Sequence, residues 1–291
     1  MADPAVMTSG RKTGHDALVT LKGLRRRLIG ALDVLRGRGQ VTVAAPPTIE
    51  TTNAHADVYE HLYESHAQRL SAADAVGDGD FDAMGRISLS VVQHVGLAPG
   101  ATVVDFGCGT GRLAVHLVPA LDGGRYIGID ISETMLRRAR TLVATRVVEP
   151  RCGVEWVHQR DSRFAMPDGS VDMFVAFSVF THMEHEDTYR YLVDARRCAA
   201  PGARFVFSCL SLDLPHARTV FLHSAGRTVE ERWQHVRDVV TTEDTMRAVA
   251  SMAGWDLVRW WPGTTTPFAH VDTGEPTALG QSIGVLEPRA D

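Results

Sequence analysis

The stretch Val103 to Arg112, VVDFGCGTGR, constrains this chain more than any other. A buried-strand run, Ala101 to Val104, leads into an acid, Asp105. Gly107, Gly109 and Gly111 then alternate, and an amphipathic run opens with Leu113, Val115, Leu117 and Val118. The order is strand, glycine turn, helix. Glycine lets a backbone take positive φ and approach a ligand closely. The helix start behind it points free N–H groups at that ligand. The turn is therefore built for a small cofactor with a polar or anionic end.

Dinucleotide-binding turns read G-x-G-x-x-G. Here the spacing from Gly107 is G-x-G-x-G, and Arg112 stands where the third dinucleotide glycine would be. The stretch resembles motif I of the class I S-adenosylmethionine-dependent methyltransferases. That resemblance implies that Asp105 helps hold the cofactor's amino group. It also implies that the turn of Gly107, Cys108, Gly109 and Gly111 takes the carboxylate end.

Further acids follow at strand ends. A second strand, Arg125 to Ile129, ends in Asp130, about 20 residues past the turn, where a βαβ unit places a carboxylate near a ribose diol. Ile131 suits an adenine face, and Met135 is a second candidate. After a third strand, Val154 to Val157, come Asp161 and Ser162. The resemblance implies that Asp161 accepts from the adenine amino group while the next backbone N–H meets the ring. A fourth strand, Val171 to Phe177, brings Phe177 and Ser178 to the cofactor side.

Ala203 to Leu210, Trp255 to Trp261 and Gln281 to Leu286 supply three more strands, with a helix over Val239 to Ala253. Alternating strands and helices give an α/β class with a mostly parallel sheet. The resemblance implies a Rossmann-like class I methyltransferase fold. Its seven-stranded sheet has helices on both faces and an antiparallel last strand. The domain is expected over 57–291, with substrate-side insertions at 211–238 and 262–280. Long connections of this kind are usually functional or disordered. They carry the candidate substrate residues His216, His223 and His270. Tyr59 and Tyr63, on an amphipathic helix before the core, are candidates to close over the cofactor.

Residues 1–56 are expected to hold a basic amphipathic helix and a linker, extending the fold at its N-terminus. Leu21, Leu24, Leu28, Leu32 and Leu35 fall on one face. The helix packs on its own domain, pairs two subunits as a homodimer, or makes a peripheral membrane contact. Residues 1–40 hold eight Lys or Arg against three Asp, or +5, so with a whole-chain charge of −5 the remainder carries −10. An acidic body argues against nucleic acid as a partner. Four cysteines without C-x-x-C pairing read as reduced thiols. No apolar run is long enough for an integral membrane segment, and the expected location is cytoplasmic.

Two metal readings are set aside. The run DAVGDGDFDAMG spaces Asp78, Asp80 and Asp82 like a calcium loop, but the loop glycine is replaced by Ala83 and the closing glutamate by Leu89. It reads as a solvated turn. In THMEHED, the histidines and acids invite a metal, but Asp187 is expected to cap the helix from Thr188 to Cys198. No metal is expected.

The nucleophile decides the remaining chemistry. An alcohol needs a general base, whereas an amine needs only its neutral form. Amide methyltransferases carry Asn- or Asp-Pro-Pro-Tyr after the fourth strand, and here that place holds Phe177, Ser178, Val179 and Phe180. The phrase FSVFTHM is similar to bacterial methyltransferases of sugar and polysaccharide synthesis. His182 is the candidate base, or else a histidine bonded to backbone beside the pocket. The expected function is S-adenosylmethionine-dependent O-methylation of a small hydroxylated molecule, a sugar, polysaccharide precursor or glycolipid. Methylation of nitrogen or carbon on a secondary metabolite or lipid is the second reading. A non-catalytic cofactor-binding scaffold is the third.

Overall fold

The computed structural model describes residues 56–71 and 80–290. The chain divides at Ile49/Glu50, and every element below belongs to the second unit. The N-terminal helix and linker expected over 1–56, apart from Ala56, lie outside the described residues, as does Asp78.

Two helices precede the sheet, α1 (Ala56–Arg69) and α2 (Phe81–His94). Asp80 is the N-cap of α2, its side chain accepting from the Ala83 N–H at 2.7 Å. Part of the run expected as a solvated turn is therefore a helix start, because a side-chain oxygen there satisfies an otherwise orphaned amide.

The core then alternates: β1 (Thr102–Phe106), α3 (Ala114–Ala120), β2 (Arg125–Asp130), α4 (Glu133–Arg146), β3 (Gly153–His158), β4 (Val171–Ala176), α5 (His185–Cys198) and β5 (Ala199–Ser211). Next come α6 (Pro215–Ala225), α7 (Val229–Arg232), β6 (Val240–Thr241), α8 (Glu243–Met252), β7 (Trp255–Trp261), β8 (Phe268–Ala269), β9 (Pro276–Thr277) and β10 (Ser282–Pro288).

The sheet runs β3-β2-β1-β4-β5-β10-β7, with β6 paired to β5 beside this path. β1 to β5 pair in parallel, and β10 is antiparallel to both β5 and β7. This is the Rossmann-like class I methyltransferase fold. Successive residues of a strand face opposite sides, so each strand feeds two cores. Val104, Ile127, Phe174, Phe205 and Trp255 pack with α5 and α8. Val103, Tyr126, Met173 and Val206 pack with α2, α3 and α4. The strand order reverses between β1 and its two neighbours, which opens a crevice beyond their carboxyl ends.

Three local expectations change. The helix expected over Val239 to Ala253 begins only at Glu243, because β-branched Val240 and Thr241 extend beside β5 and Thr242 caps the helix. The helix expected from Thr188 begins at His185, so Asp187 lies inside its first turn and does not cap it. The 211–238 segment is a pair of helices, α6 and α7, rather than an irregular loop.

Candidate functional site

A cavity of about 630 Å³ opens at the carboxyl end of β1, β2 and β4. Its first wall is the glycine turn. Gly107, Gly109 and Gly111 hold φ of +70, +56 and +87, a region that a side chain disfavours. The Gly107 and Cys108 N–H groups donate to the Ile129 carbonyl at 2.7 and 3.0 Å, tying the turn to β2. Gly107, Cys108 and Gly109 line the cavity. Gly111 does not. A Cβ there would meet Ala139 at 3.2 Å, so this glycine lets α4 pack against the turn.

The two strand-end acids are buried in the same wall, Asp105 at 4% and Asp130 at 8% exposure. The Tyr126 hydroxyl donates to Asp105 at 2.7 Å. Asp130 accepts from the Gly109 N–H at 2.8 Å and the Ser132 N–H at 2.9 Å. Burial pushes both carboxyls up, Asp105 to about 7 and Asp130 to about 6. Ile131 and Met135 stand beside them. Asp130 thus clamps the glycine turn as well as facing the cavity.

Asp161 and Ser162 do not reach the cavity. Asp161 turns its carboxylate back onto the Arg163 N–H at 3.0 Å, and Ser162 is buried. Gln159, two residues earlier, lines the cavity instead. It is 7% exposed, and its Nε2 donates to the Asp161 carbonyl at 3.0 Å. Its Oε1 is buried with no partner among the described residues. The resemblance implies an acid at this place, and nothing in the sequence distinguishes the amide two residues earlier.

α1 forms the roof, with Tyr59 and Tyr63 on the cavity side. It is held down at Thr134, whose N–H donates to Glu64 at 2.9 Å, and by Arg160 on Glu60 at 2.7 Å. The Tyr59 hydroxyl donates to Asp187 at 3.4 Å and accepts from the Glu184 N–H at 3.3 Å. Burial raises the pKa of both tyrosines, so they stay neutral.

His182 lines the far end. Its Nδ1 is 2.7 Å from the Arg237 carbonyl and 3.4 Å from Asp238. A carbonyl only accepts, so Nδ1 carries the proton and Nε2 keeps a lone pair. Burial lowers the ring's pKa below its ordinary value, outweighing the opposing pull of the Arg237 carbonyl and Asp238. Glu184 and Asp187 are engaged elsewhere, by Arg237 and Tyr59. Thr181, beside His182, has a buried hydroxyl with no partner among the described residues.

Phe177 and Ser178 continue the floor past β4. Ser178 is a non-glycine residue at φ +57, held there by its N–H on the Ser208 hydroxyl at 2.7 Å. The Ser208 and Ser178 hydroxyls donate to Gln281 Oε1 at 2.5 and 3.3 Å. Gln281 lines the cavity, and its amide N–H groups donate to no atom among the described residues. Nothing in the sequence marked Gln281, which stands at the start of a strand.

The three substrate histidines are elsewhere. His216 and His223 are exposed on α6. His270 lies in the β8–β9 turn, which docks on α2 where the Val271 N–H donates to Ser90 at 3.0 Å. The 211–238 segment instead gives the cavity Val220, Val236 and Asp238. No group of histidines, cysteines and acids that could hold a metal occurs among the described residues.

The cavity suits a nucleoside cofactor with an amino-acid tail. It offers glycine backbone and a buried acid on a strand end, and the orphaned Gln159 Oε1 needs a donor such as an adenine amino group.

Comparison with known proteins agrees. Residues 103–202 match the family described as a methyltransferase domain. The chain is 28% identical over 128 residues to O-methyltransferase resE of Aspergillus sclerotiorum, covering 44% of this chain and 47% of that one. The match thus spans about half of that relative. It is 27% identical over 193 residues to a malonyl-(acyl-carrier protein) O-methyltransferase of Geobacter sulfurreducens, covering 62% of this chain and 68% of that one. Among solved structures, magnesium protoporphyrin IX methyltransferase of Synechocystis, with bound S-adenosylhomocysteine, superposes with a TM-score of 0.54 at 18% identity. That superposition covers 81% of this chain and 99% of the other. Residues 103–202 thus match a methyltransferase domain, set in a fold that this chain shares with S-adenosylmethionine-dependent methyltransferases.

Proposed function

We propose that this chain methylates an oxygen of a small polar acceptor, with His182 as the general base. The observation that carries the reading is the His182 tautomer: Nδ1–H is spent on the Arg237 carbonyl, and the ring lines the cavity. A neutral ring with a free Nε2 takes a hydroxyl proton as the oxygen begins its attack. Two of the relatives above are O-methyltransferases.

When bound, S-adenosylmethionine supplies an activated methyl carbon. The chain's own residues do the rest. Asp130 accepts from the ribose hydroxyls, Gln159 from the adenine amino group, and the backbone of Gly107 to Gly109 takes the amino-acid end. Asp105, held by Tyr126, faces the amino group. Tyr59 and Tyr63 exclude water from above, which strengthens every polar contact below. Gln281 donates to an oxygen of the acceptor and fixes its orientation. The catalytic unit is the domain over 57–291, and 211–238 is its acceptor-side segment. Hydroxylated carbohydrates are the acceptor class this reading favours, because their hydroxyls can meet both His182 and Gln281.

The test is a methyl-transfer screen with radiolabelled S-adenosylmethionine against matched alcohols, carboxylic acids and amines. Label on an oxygen of the product supports the reading. Label only on amine nitrogen or carbon would replace it with N- or C-methylation, and cofactor binding without turnover would leave a scaffold role.

A further inference from the structure

Arg112 is the one Lys or Arg that lines the cavity among the described residues. It directly follows Gly111, and its backbone is fixed from outside by α2. A Cβ on Gly85 would lie 2.5 Å from the Arg112 carbonyl oxygen, so glycine is what lets the helix approach. The guanidinium makes no hydrogen bond or ion pair with any described residue. Arg237, near the other end, is already committed, paired with Glu184 and stacked 4.5 Å over Trp233.

The acids of the cavity do not answer Arg112. Asp105 is taken by Tyr126, and Asp130 by the Gly109 and Ser132 amides. Burial pulls the Arg112 pKa below its ordinary value, with no acid opposing. A half-buried cation without a counter-charge is costly, and a guanidinium recovers most from the two oxygens of a carboxylate.

We propose that Arg112 is the carboxylate receptor of this cavity. The carboxylate comes from the amino-acid tail of the cofactor or from the acceptor, and the first source rests on the methyltransferase reading above. Either way Arg112 is a binding residue whose planar fork and charge set which ligands enter.

Calorimetry on the full chain tests this with three probes. S-adenosylhomocysteine carries the carboxylate, 5′-methylthioadenosine keeps the nucleoside and thioether without it, and malonate is a bare dicarboxylate. In Arg112→Met, S-adenosylhomocysteine should bind about 10–100-fold more weakly and methylthioadenosine within about twofold of wild type. Arg112→Lys should recover part of the loss. That outcome assigns the cofactor's carboxylate. Unchanged S-adenosylhomocysteine affinity, with malonate bound by the loaded wild type and lost in Arg112→Met, assigns the acceptor's. Equal weakening of both nucleosides, or no dependence of either carboxylate on Arg112, overturns the proposal. If neither nucleoside binds wild type, the methyltransferase reading has failed, and malonate alone then decides for or against Arg112.

Discussion

The two ends of the cavity are built by different means. The cofactor end is local: Asp105 to Gly109, Asp130, Ile131 and Gln159 sit on three strand ends that are adjacent in the sheet. Its polar groups are largely backbone amides and carboxyls held by them. The proposed acceptor end is assembled from distant pieces: Tyr59 on α1, His182 after β4, Asp238 after α7 and Gln281 before β10. Its polar groups are side chains, each held by a partner far away in sequence. His182 is held by a residue 55 positions on, and Gln281 by residues 73 and 103 positions back. A backbone-made site tolerates few changes of architecture. A side-chain-made site can change its ligand while the fold stays the same.

The sharpest way to break this division is at His182. His182→Ala should lower turnover by about 10²–10⁴-fold while S-adenosylhomocysteine affinity, read by calorimetry, stays within about twofold. Burial lowers the ring's pKa, and a base works when deprotonated. The wild-type rate should therefore rise through a group below ~6.5 and be flat above it, and the variant should lose that rise. A cofactor affinity that fell with turnover would mean that the two ends are one unit.

Asp130→Ala should do the reverse, weakening S-adenosylhomocysteine by about 10–100-fold. It removes a charged acceptor and strands two amides, each worth about 1–3 kcal/mol when buried without a partner. Thermal melting should fall with it. Asp130→Asn, which keeps one acceptor oxygen, should lie between.

Gln281→Leu should raise the acceptor KM about tenfold, as expected for one lost hydrogen bond, and leave cofactor affinity alone. An unchanged KM would remove Gln281 from the acceptor end.

A smaller effect lies in the pH dependence of stability. Asp105 titrates near 7 when folded, above its unfolded value. A raised carboxyl stabilises the fold most when protonated, so this contribution is complete at acid pH and is lost as pH rises toward and through 7. The melting temperature of the ligand-free protein should drop across that window, and Asp105→Asn should flatten the drop. The smallest effects belong to His216→Ala and His223→Ala, which should leave acceptor KM and turnover within about twofold because both side chains are exposed on α6.

The sequence by itself determined the glycine turn and the sheet. Glycines at alternate positions after a strand have few other uses, and apolar runs punctuated by acids mark strand ends by short-range rules. Those signals are local, because backbone conformation and strand alternation depend on near neighbours. Gln159 lines the cavity and Asp161 does not, which shows the limit even there, since a single turn decided which side chain faces inward. Only the tertiary structure decided which side chains meet at the proposed acceptor end. His216, His223 and His270 had the right chemistry in the sequence but lie on other surfaces, and Gln281 had no signal at all. Its role depends on Ser178 and Ser208 arriving from β4 and β5. Tyr59 and Tyr63 were legible as one helical face, yet what that face covers was fixed by Glu64 reaching the start of α4. Contacts between residues far apart in the chain leave no periodicity and no spacing, so folding alone brings them together.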